Sequence, residues 1–297
     1  MRYLLLMFFI LAQLQVQAQA TAGYRIYDSR RKQEVGIADI VQAVQPREVL
    51  VFGEQHDDSI GHVLELEVLR ALHKRFGKEV ILSMEMFHRD VQYIIDEYLA
   101  GLISEKNFIK EARAWETYKT DYRPSVEFAR ENGLRVIAAN TPSRYTNMVT
   151  RKGLRSLDAL SREVRKRYIA PLPVDTLTGR YYDNFLKAMG GHTVPGMNLY
   201  QSQNLWDATM SWSVSQAMKA QKNAVVLMLN DRFHSDEHLG LVKRLEDDYK
   251  KKVTTISCFA AADLAQPDWS AYASLADFVI LTEGRPEAGQ EKGESAK

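Results

Sequence analysis

Cysteine is nearly absent: Cys258 is the single one in 297 residues. One thiol cannot close an internal disulfide or build a thiolate zinc cluster, and no Cys-x-x-Cys-His element is present for covalent cofactor attachment. An excess of either charge is missing too, with 39 Lys and Arg against 38 Asp and Glu. No bulk positive field is therefore available to hold nucleic acid or an anionic membrane, and nucleic acid is not an expected partner. Long apolar runs are lacking as well: the run Tyr3 to Ala12 has 10 residues, well short of the ~20 that span a bilayer. No internal repeat of fixed period occurs. What remains is 45% hydrophobic and 26% charged, enough for a folded domain with a real core, which excludes a disordered or collagen-like chain.

Arg2, the apolar run, and Ala18-Gln19-Ala20 have the layout of a secretory signal over residues 1–20, with a small-x-small cleavage site. Export to the periplasm or cell envelope is the expectation. No cysteine lies near the cleavage site to accept a lipid. Gly284 to Lys297 has no periodic apolar residue and reads as a solvated, disordered tail.

Between these ends, residues 21–283 read as one α/β domain. Short apolar or β-branched runs recur at Glu48 to Phe52, Val80 to Met84, Arg135 to Ala139, Ala224 to Leu229, Val253 to Ser257 and Phe278 to Leu281. Runs apolar on both faces are what a sheet covered by helices requires. Val91, Ile94, Ile95, Tyr98 and Leu99 share one face of a helix between two of them. The alternation predicts a largely parallel central sheet flanked by helices. Residues from about 141 to 219 break the rhythm and read as a helical insertion capping the C-terminal rim of the strands.

In such sheets ligands collect beyond the carboxyl ends of the strands. Four predicted strands run into polar residues there: Gly53-Glu54-Gln55-His56-Asp57-Asp58, Met84-Glu85-Met86-Phe87-His88, Asn140-Thr141-Pro142 and Asn230-Asp231-Arg232-Phe233-His234. Gly53 suits a tight turn and Asp58 or Ser59 a helix cap, which leaves Glu54 and His56 without an architectural explanation. A Glu directly after a buried strand is costly to desolvate without a partner, so Glu54, His56, Glu85 and His234 are the site candidates. His62, His73, His88 and His238 lie in or near helix patterns and read as surface or satisfied core histidines. His192 sits in the loop Gly190-Gly191-His192. In the insertion, Gln203 and Asp207 are four apart and share a helix face, whereas Met210, Trp212, Ala217 and Met218 read as core packing. Tyr181, Tyr182 and Phe185 offer aromatic surface for a flat apolar ligand.

These residues, together with Gln92, Trp115, Tyr122-Arg123-Pro124 and Tyr200-x-x-Gln203-x-x-x-Asp207, resemble the ChaN family along residues 45–245. ChaN proteins are bacterial haem-binding uptake proteins, often called iron-regulated lipoproteins. They are grouped with the Tiki and erythromycin-esterase-like proteins, whose Gly-Glu-x-His element, strand-end Glu and later Gly-x-x-His build a hydrolytic centre. The resemblance implies an exported haem binder, with haems stacked face to face across a homodimer, a tyrosine on each iron and a histidine near the propionates. It also implies traffic with outer-membrane haem uptake machinery. Carried over residue by residue, it marks Glu54, His56, Glu85, Asn140, Gln203, Asp207 and His234 as rim residues. Tyr200, then Tyr182, are the iron-ligand candidates, and His192 is a further cofactor-site candidate. The alternative it implies is a hydrolase using Glu54, His56, Glu85 and His234, with Glu54, His56 and His234 as ligands if a divalent metal takes part. Two departures stand out: Asp231 occupies the position where the family has glycine, and the lipid-accepting cysteine is missing.

Overall fold

The computed structural model describes residues 23–284, so the segment 1–20 expected as a secretory leader, and all but Gly284 of the segment expected as a tail, lie outside the described residues. Among the described residues, eight strands form one sheet: β1 Tyr24–Asp28, β2 Gln33–Glu34, β3 Val49–Glu54, β4 Val80–His88, β5 Arg135–Asn140, β6 Val225–Asp231, β7 Val253–Ala260 and β8 Phe278–Thr282. Their order is β2-β1-β8-β7-β3-β6-β4-β5. The six strands from β8 to β5 are parallel, and β1 and β2 add an antiparallel edge. All six strands expected from the sequence are present. The edge pair was not expected, because Tyr24–Asp28 is a half-polar segment whose hydrogen-bond partner, β8, lies at the other end of the chain.

Alternation along each parallel strand divides the core in two, as a doubly covered sheet demands. Leu50, Phe52, Leu82, Met84, Leu227 and Leu229 face one way, toward a layer that includes the helices Ser59–Phe76, Gln92–Leu99 and Arg123–Glu131. Val49, Val51, Ile81, Val226 and Met228 face the other way, toward the helices Leu199–Ala220 and Gly240–Asp247. The insertion is helical, with no strand between residues 141 and 219 among the described residues. Its long helix does more than cap the rim. Gln203 and Asp207 near its start reach the strand ends, while Met210, Val214, Ala217 and Met218 lie flat on the sheet. Leu205, Ala208 and Trp212 pack on the insertion's own small core with Tyr145, Val149, Leu157 and Ile169. This explains why the helix reads as almost uniformly buried rather than amphipathic: it has protein on both sides.

Candidate functional site

The chain visits β3, then β4 and β5, and only afterwards inserts β6 between β3 and β4. That crossing places a crevice at the carboxyl ends of three adjacent strands. Parallel register sets Glu54 of β3 beside Asp231 of β6, and β4 brings Glu85 from the far side, where its Oε2 accepts the Asp231 N–H at 2.8 Å.

The turn after β6 is held by its own residues. Asp231 Oδ1 accepts from the Phe233 N–H at 2.7 Å, and Arg232 lays its guanidinium over Phe259 while pairing with Asp236 at 2.7 Å. Gly53 lets this turn approach. A Cβ there would stand 2.5 Å from Ser235 Oγ and 2.9 Å from Arg232 Cα, closer than packed atoms allow. Gly240, at a φ of +52°, leaves room in the same way for the His234 carbonyl and the Tyr181 hydroxyl.

Two acid–imidazole chains result. In the first, His56 Nδ1 lies 2.6 Å from Glu54 Oε1 and His56 Nε2 lies 3.2 Å from Asp231 Oδ2. Tyr122 donates to the same Glu54 oxygen at 2.7 Å, and Trp115 meets the His56 ring edge-on. In the second, Asp207 Oδ1 lies 2.6 Å from His234 Nδ1, and His234 Nε2 lies 3.3 Å from Glu85 Oε1. Tyr181 donates to Asp207 Oδ2 at 2.6 Å, and Gln203 Nε2 lies 3.0 Å from His234 Nδ1.

Burial lowers the proton affinity of both imidazoles, yet their carboxylate neighbours outweigh it. His56 is raised to about 9 and His234 well above its usual range. Burial alone would raise Glu85, but the His234 charge brings it down to about 2. Glu54 is the opposite case, held well above the carboxylate range by burial and then by the neighbouring Glu65. At neutral pH the rim thus carries two protonated imidazoles with Glu85 ionised beside them, and His56 and Asp231 are the most open of these side chains at 37% and 29% exposure.

The structure brings together Glu54, His56, Glu85, Gln203, Asp207 and His234. Asn140 ends β5 at the same rim, where it accepts from the Thr141 N–H at 2.8 Å, and no contact with the acid–imidazole chains is recorded among the described residues. Tyr182, His192 and Tyr200 lie elsewhere, around a cleft of about 280 Å³ that Phe185, Met189, Val194 and Met197 also line. One helix, Arg180–Ala188, serves both places: Tyr181 points to the rim and Tyr182 to the cleft, where its ring sits 4.9 Å from that of Tyr200. The Tyr200 hydroxyl donates to the Leu177 carbonyl at 2.5 Å.

Three neighbours escaped the sequence reading. Asp231, noted only as a missing glycine, faces His56. His62 and Glu65, on helix Ser59–Phe76, stand behind Glu54, with His62 Nδ1 3.7 Å from Glu54 Oε2 and 3.5 Å from Glu65 Oε2. Their signal was legible: a His and a Glu one turn apart on a face otherwise made of Gly61, Leu64, Val68, Leu69 and Leu72. Among the described residues, the group whose ligand atoms gather within 4.8 Å of one another is Glu54, His62 and Glu65. The set suggested by the resemblance, Glu54 with His56 and His234, does not gather in this way, because both imidazoles are engaged by carboxylates on each side.

The family model described as haem-binding uptake, Tiki superfamily, ChaN matches residues 40–245. A structure titled for cofacial haem binding to ChaN of Campylobacter jejuni superposes with a TM-score of 0.64 at 14% identity, over 88% of this chain and 98% of that one. An erythromycin esterase aligns less well, with a TM-score of 0.45 at 11% identity over 88% of this chain and 83% of that one. The chloroplastic protein RETICULATA-RELATED 5 of Arabidopsis thaliana is 27% identical over 170 residues, 52% of this chain but 22% of that protein's length.

Proposed function

Because the chain belongs to the ChaN family of haem-binding uptake proteins in the Tiki superfamily, we propose that it is an exported carrier of haem in iron acquisition, with the insertion cleft as the place where haem sits. The observation that carries this reading is the apolar character of an open surface. Tyr182, Val194 and Met197 are 37%, 40% and 46% exposed, and all three line the cleft with Phe185, Met189 and Tyr200. Exposed apolar side chains gathered at one concave place mark a binding surface, and covering them with a porphyrin removes that surface from water. The residues fit the group. A phenolate is an accepted axial ligand for ferric iron, and two tyrosines line the cleft.

Of these, Tyr182 is the better placed ligand. Tyr200 already donates its hydroxyl to Leu177, and burial raises it above the usual phenol range. Tyr182 is more open, with no hydrogen bond from its hydroxyl recorded among the described residues. His192, on the same cleft, is suited to a propionate. The face-to-face haem arrangement named for the Campylobacter protein suits a cleft on an exposed apolar surface: a second copy of the chain would cover what the first haem leaves open. The described residues contain no helix long and apolar enough to cross a membrane.

Titrating hemin into the purified chain tests the proposal. A saturable Soret shift with a stoichiometric end point is expected, weakened at least tenfold in Tyr182→Phe and less in Tyr200→Phe, with the sedimenting mass doubling on haem addition. A free-hemin spectrum at every ratio refutes it.

The rim supports a second reading, a hydrolase, because His56 opens to solvent between two carboxylates. With its proton held at neutral pH, His56 acts there as an acid toward a leaving group rather than as a base toward water. Turnover of an ester or peptide panel, lost in His56→Gln, is the expected result. No turnover by the folded chain removes this reading and leaves the haem proposal intact.

A further inference from the structure

Behind the rim, away from the cleft, helix Ser59–Phe76 turns His62 and Glu65 toward the back of Glu54, and all three side chains are buried, at 5%, 0% and 1% exposure. The hydrogen on the His62 ring can be located by elimination. Nε2 lies 3.0 Å from the main-chain carbonyl of His56, and a carbonyl only accepts, so Nε2 donates. The Nδ1 of a neutral ring then presents its lone pair to two carboxylate oxygens, Glu54 Oε2 at 3.7 Å and Glu65 Oε2 at 3.5 Å. With both carboxyls ionised, three acceptors face one another in a dry interior and repel, so the group holds together only with a proton or a cation among them.

A second proton on the ring does not resolve the conflict. Charge-assisted N–H···O contacts close to about 2.7–2.9 Å, and both separations exceed that range. They match a different geometry: around an ion bound at ~2.1 Å by imidazole nitrogen and carboxylate oxygen in a tetrahedron, neighbouring ligand atoms stand about 3.4 Å apart. Among the described residues no N–H or hydroxyl donor is recorded for the Glu54 oxygen that faces His62 or for Glu65 Oε1, although both atoms are buried. Such orphaned carboxylate oxygens are costly in an interior. Asp121 adds a further acid, its Oδ2 3.9 Å from His62 Nε2. The ion pairs recorded for Glu54 and Glu65 among the described residues are with histidine alone, not with Lys or Arg.

We infer that Glu54, His62 and Glu65 form a buried site for one divalent transition-metal ion with mixed nitrogen and oxygen ligation. The hydrogen bond from His62 Nε2 to the His56 carbonyl is the outer contact that orients a ligating imidazole. One imidazole with two carboxylates suits zinc and its first-row neighbours better than calcium or magnesium, which favour oxygen alone. An ion here ties helix Ser59–Phe76 to the end of β3. It also anchors Glu54, whose other oxygen takes the His56 and Tyr122 contacts, so its work is to position the rim from behind.

The test uses the full chain, stripped with chelator and titrated with zinc sulfate by calorimetry, beside metal analysis of the protein as purified. One zinc per chain and a Tm that rises with zinc concentration are expected. His62→Gln and Glu65→Gln, both checked for native circular dichroism, should each weaken binding more than about a hundredfold, since loss of a mere outer-shell contact already costs 10–100-fold. Glu85→Gln and Tyr182→Phe should bind zinc as the parent does, which separates this site from the second acid–imidazole chain and from the haem cleft. Absence of saturable binding by the folded parent overturns the inference. So does binding that survives in folded His62→Gln and Glu65→Gln.

Discussion

Replacing Glu85 by glutamine tests the electrostatics of the rim most directly, because the amide keeps the shape and an acceptor for the Asp231 N–H while removing the charge that faces His234. Glu85 is buried and its carboxyl is held at about 2 rather than near the usual 4.5. By linkage, a depression of that size corresponds to roughly 3 kcal/mol of stability at neutral pH. His234 keeps Asp207 at 2.6 Å after the substitution, so part of the loss is recovered, and about 2 kcal/mol is expected to remain. The sign with pH follows from the direction of the shift. A carboxyl with a depressed folded value contributes its full stability above the unfolded value near 4.5. It loses that contribution as pH falls from there toward 2. The parent and Glu85→Gln should therefore differ fully at pH 7 and pH 6 and draw together progressively between about pH 4.5 and pH 2. Urea unfolding at a series of pH values measures this. Tryptophan fluorescence is a suitable reporter, since the Trp206 ring lies 6.3 Å from that of His234. A gap of equal size at pH 7 and pH 3, or none at pH 7, refutes the assignment of Glu85 as a charged partner.

Two other substitutions probe how the rim is built. Gly53→Ala should cost about 1–3 kcal/mol through overpacking, because the added methyl meets backbone at Arg232 Cα; urea midpoints and a shifted His234 imidazole resonance would register it, and an unchanged midpoint would show that the turn moves aside freely. Tyr181→Phe removes the donor to Asp207 at 2.6 Å and should lower stability by about 2 kcal/mol, in the range for a hydrogen bond to a buried charged group. Hemin affinity should stay near the parent value in Tyr181→Phe, because that hydroxyl faces the rim; a large loss of hemin binding would mean that the rim and the cleft are one site.

The adjacency of Tyr181 and Tyr182 bears on how the two places on this protein relate. Consecutive residues on a helix point about 100° apart, so one helix can line the charged rim with one tyrosine and the apolar cleft with the next. Occupation of the cleft that shifts this helix also shifts a hydroxyl on Asp207, and through Asp207 the His234 imidazole. The second acid–imidazole chain therefore serves the fold as well as any chemistry: through buried polar groups it joins Asp207 of the insertion to Glu85 of β4 and His234 of the β6 turn.

How much of this was legible depends on the range of the interaction. Apolar runs with alternating faces mark β3 to β8 because each such segment must be covered on both sides, a demand met within the segment itself. The polar residues at strand ends, Glu54, His56, Glu85 and His234, stand out for a similarly local reason: desolvation there needs a partner. The amino-acid order could not say who the partners are. Glu85 and the Asp231 N–H are 146 residues apart and meet only because β6 slots between β3 and β4. Asp231 looks like a lost glycine until the parallel register sets it beside Glu54 and within reach of His56. His62 looks like an ordinary helix histidine until the turn before that helix lays the His56 carbonyl on its Nε2 and points Nδ1 at two carboxylates. Which residues must be buried follows from local free energies of transfer, written along the chain; which charges face one another follows from strand order and register, which exist only once the sheet has formed.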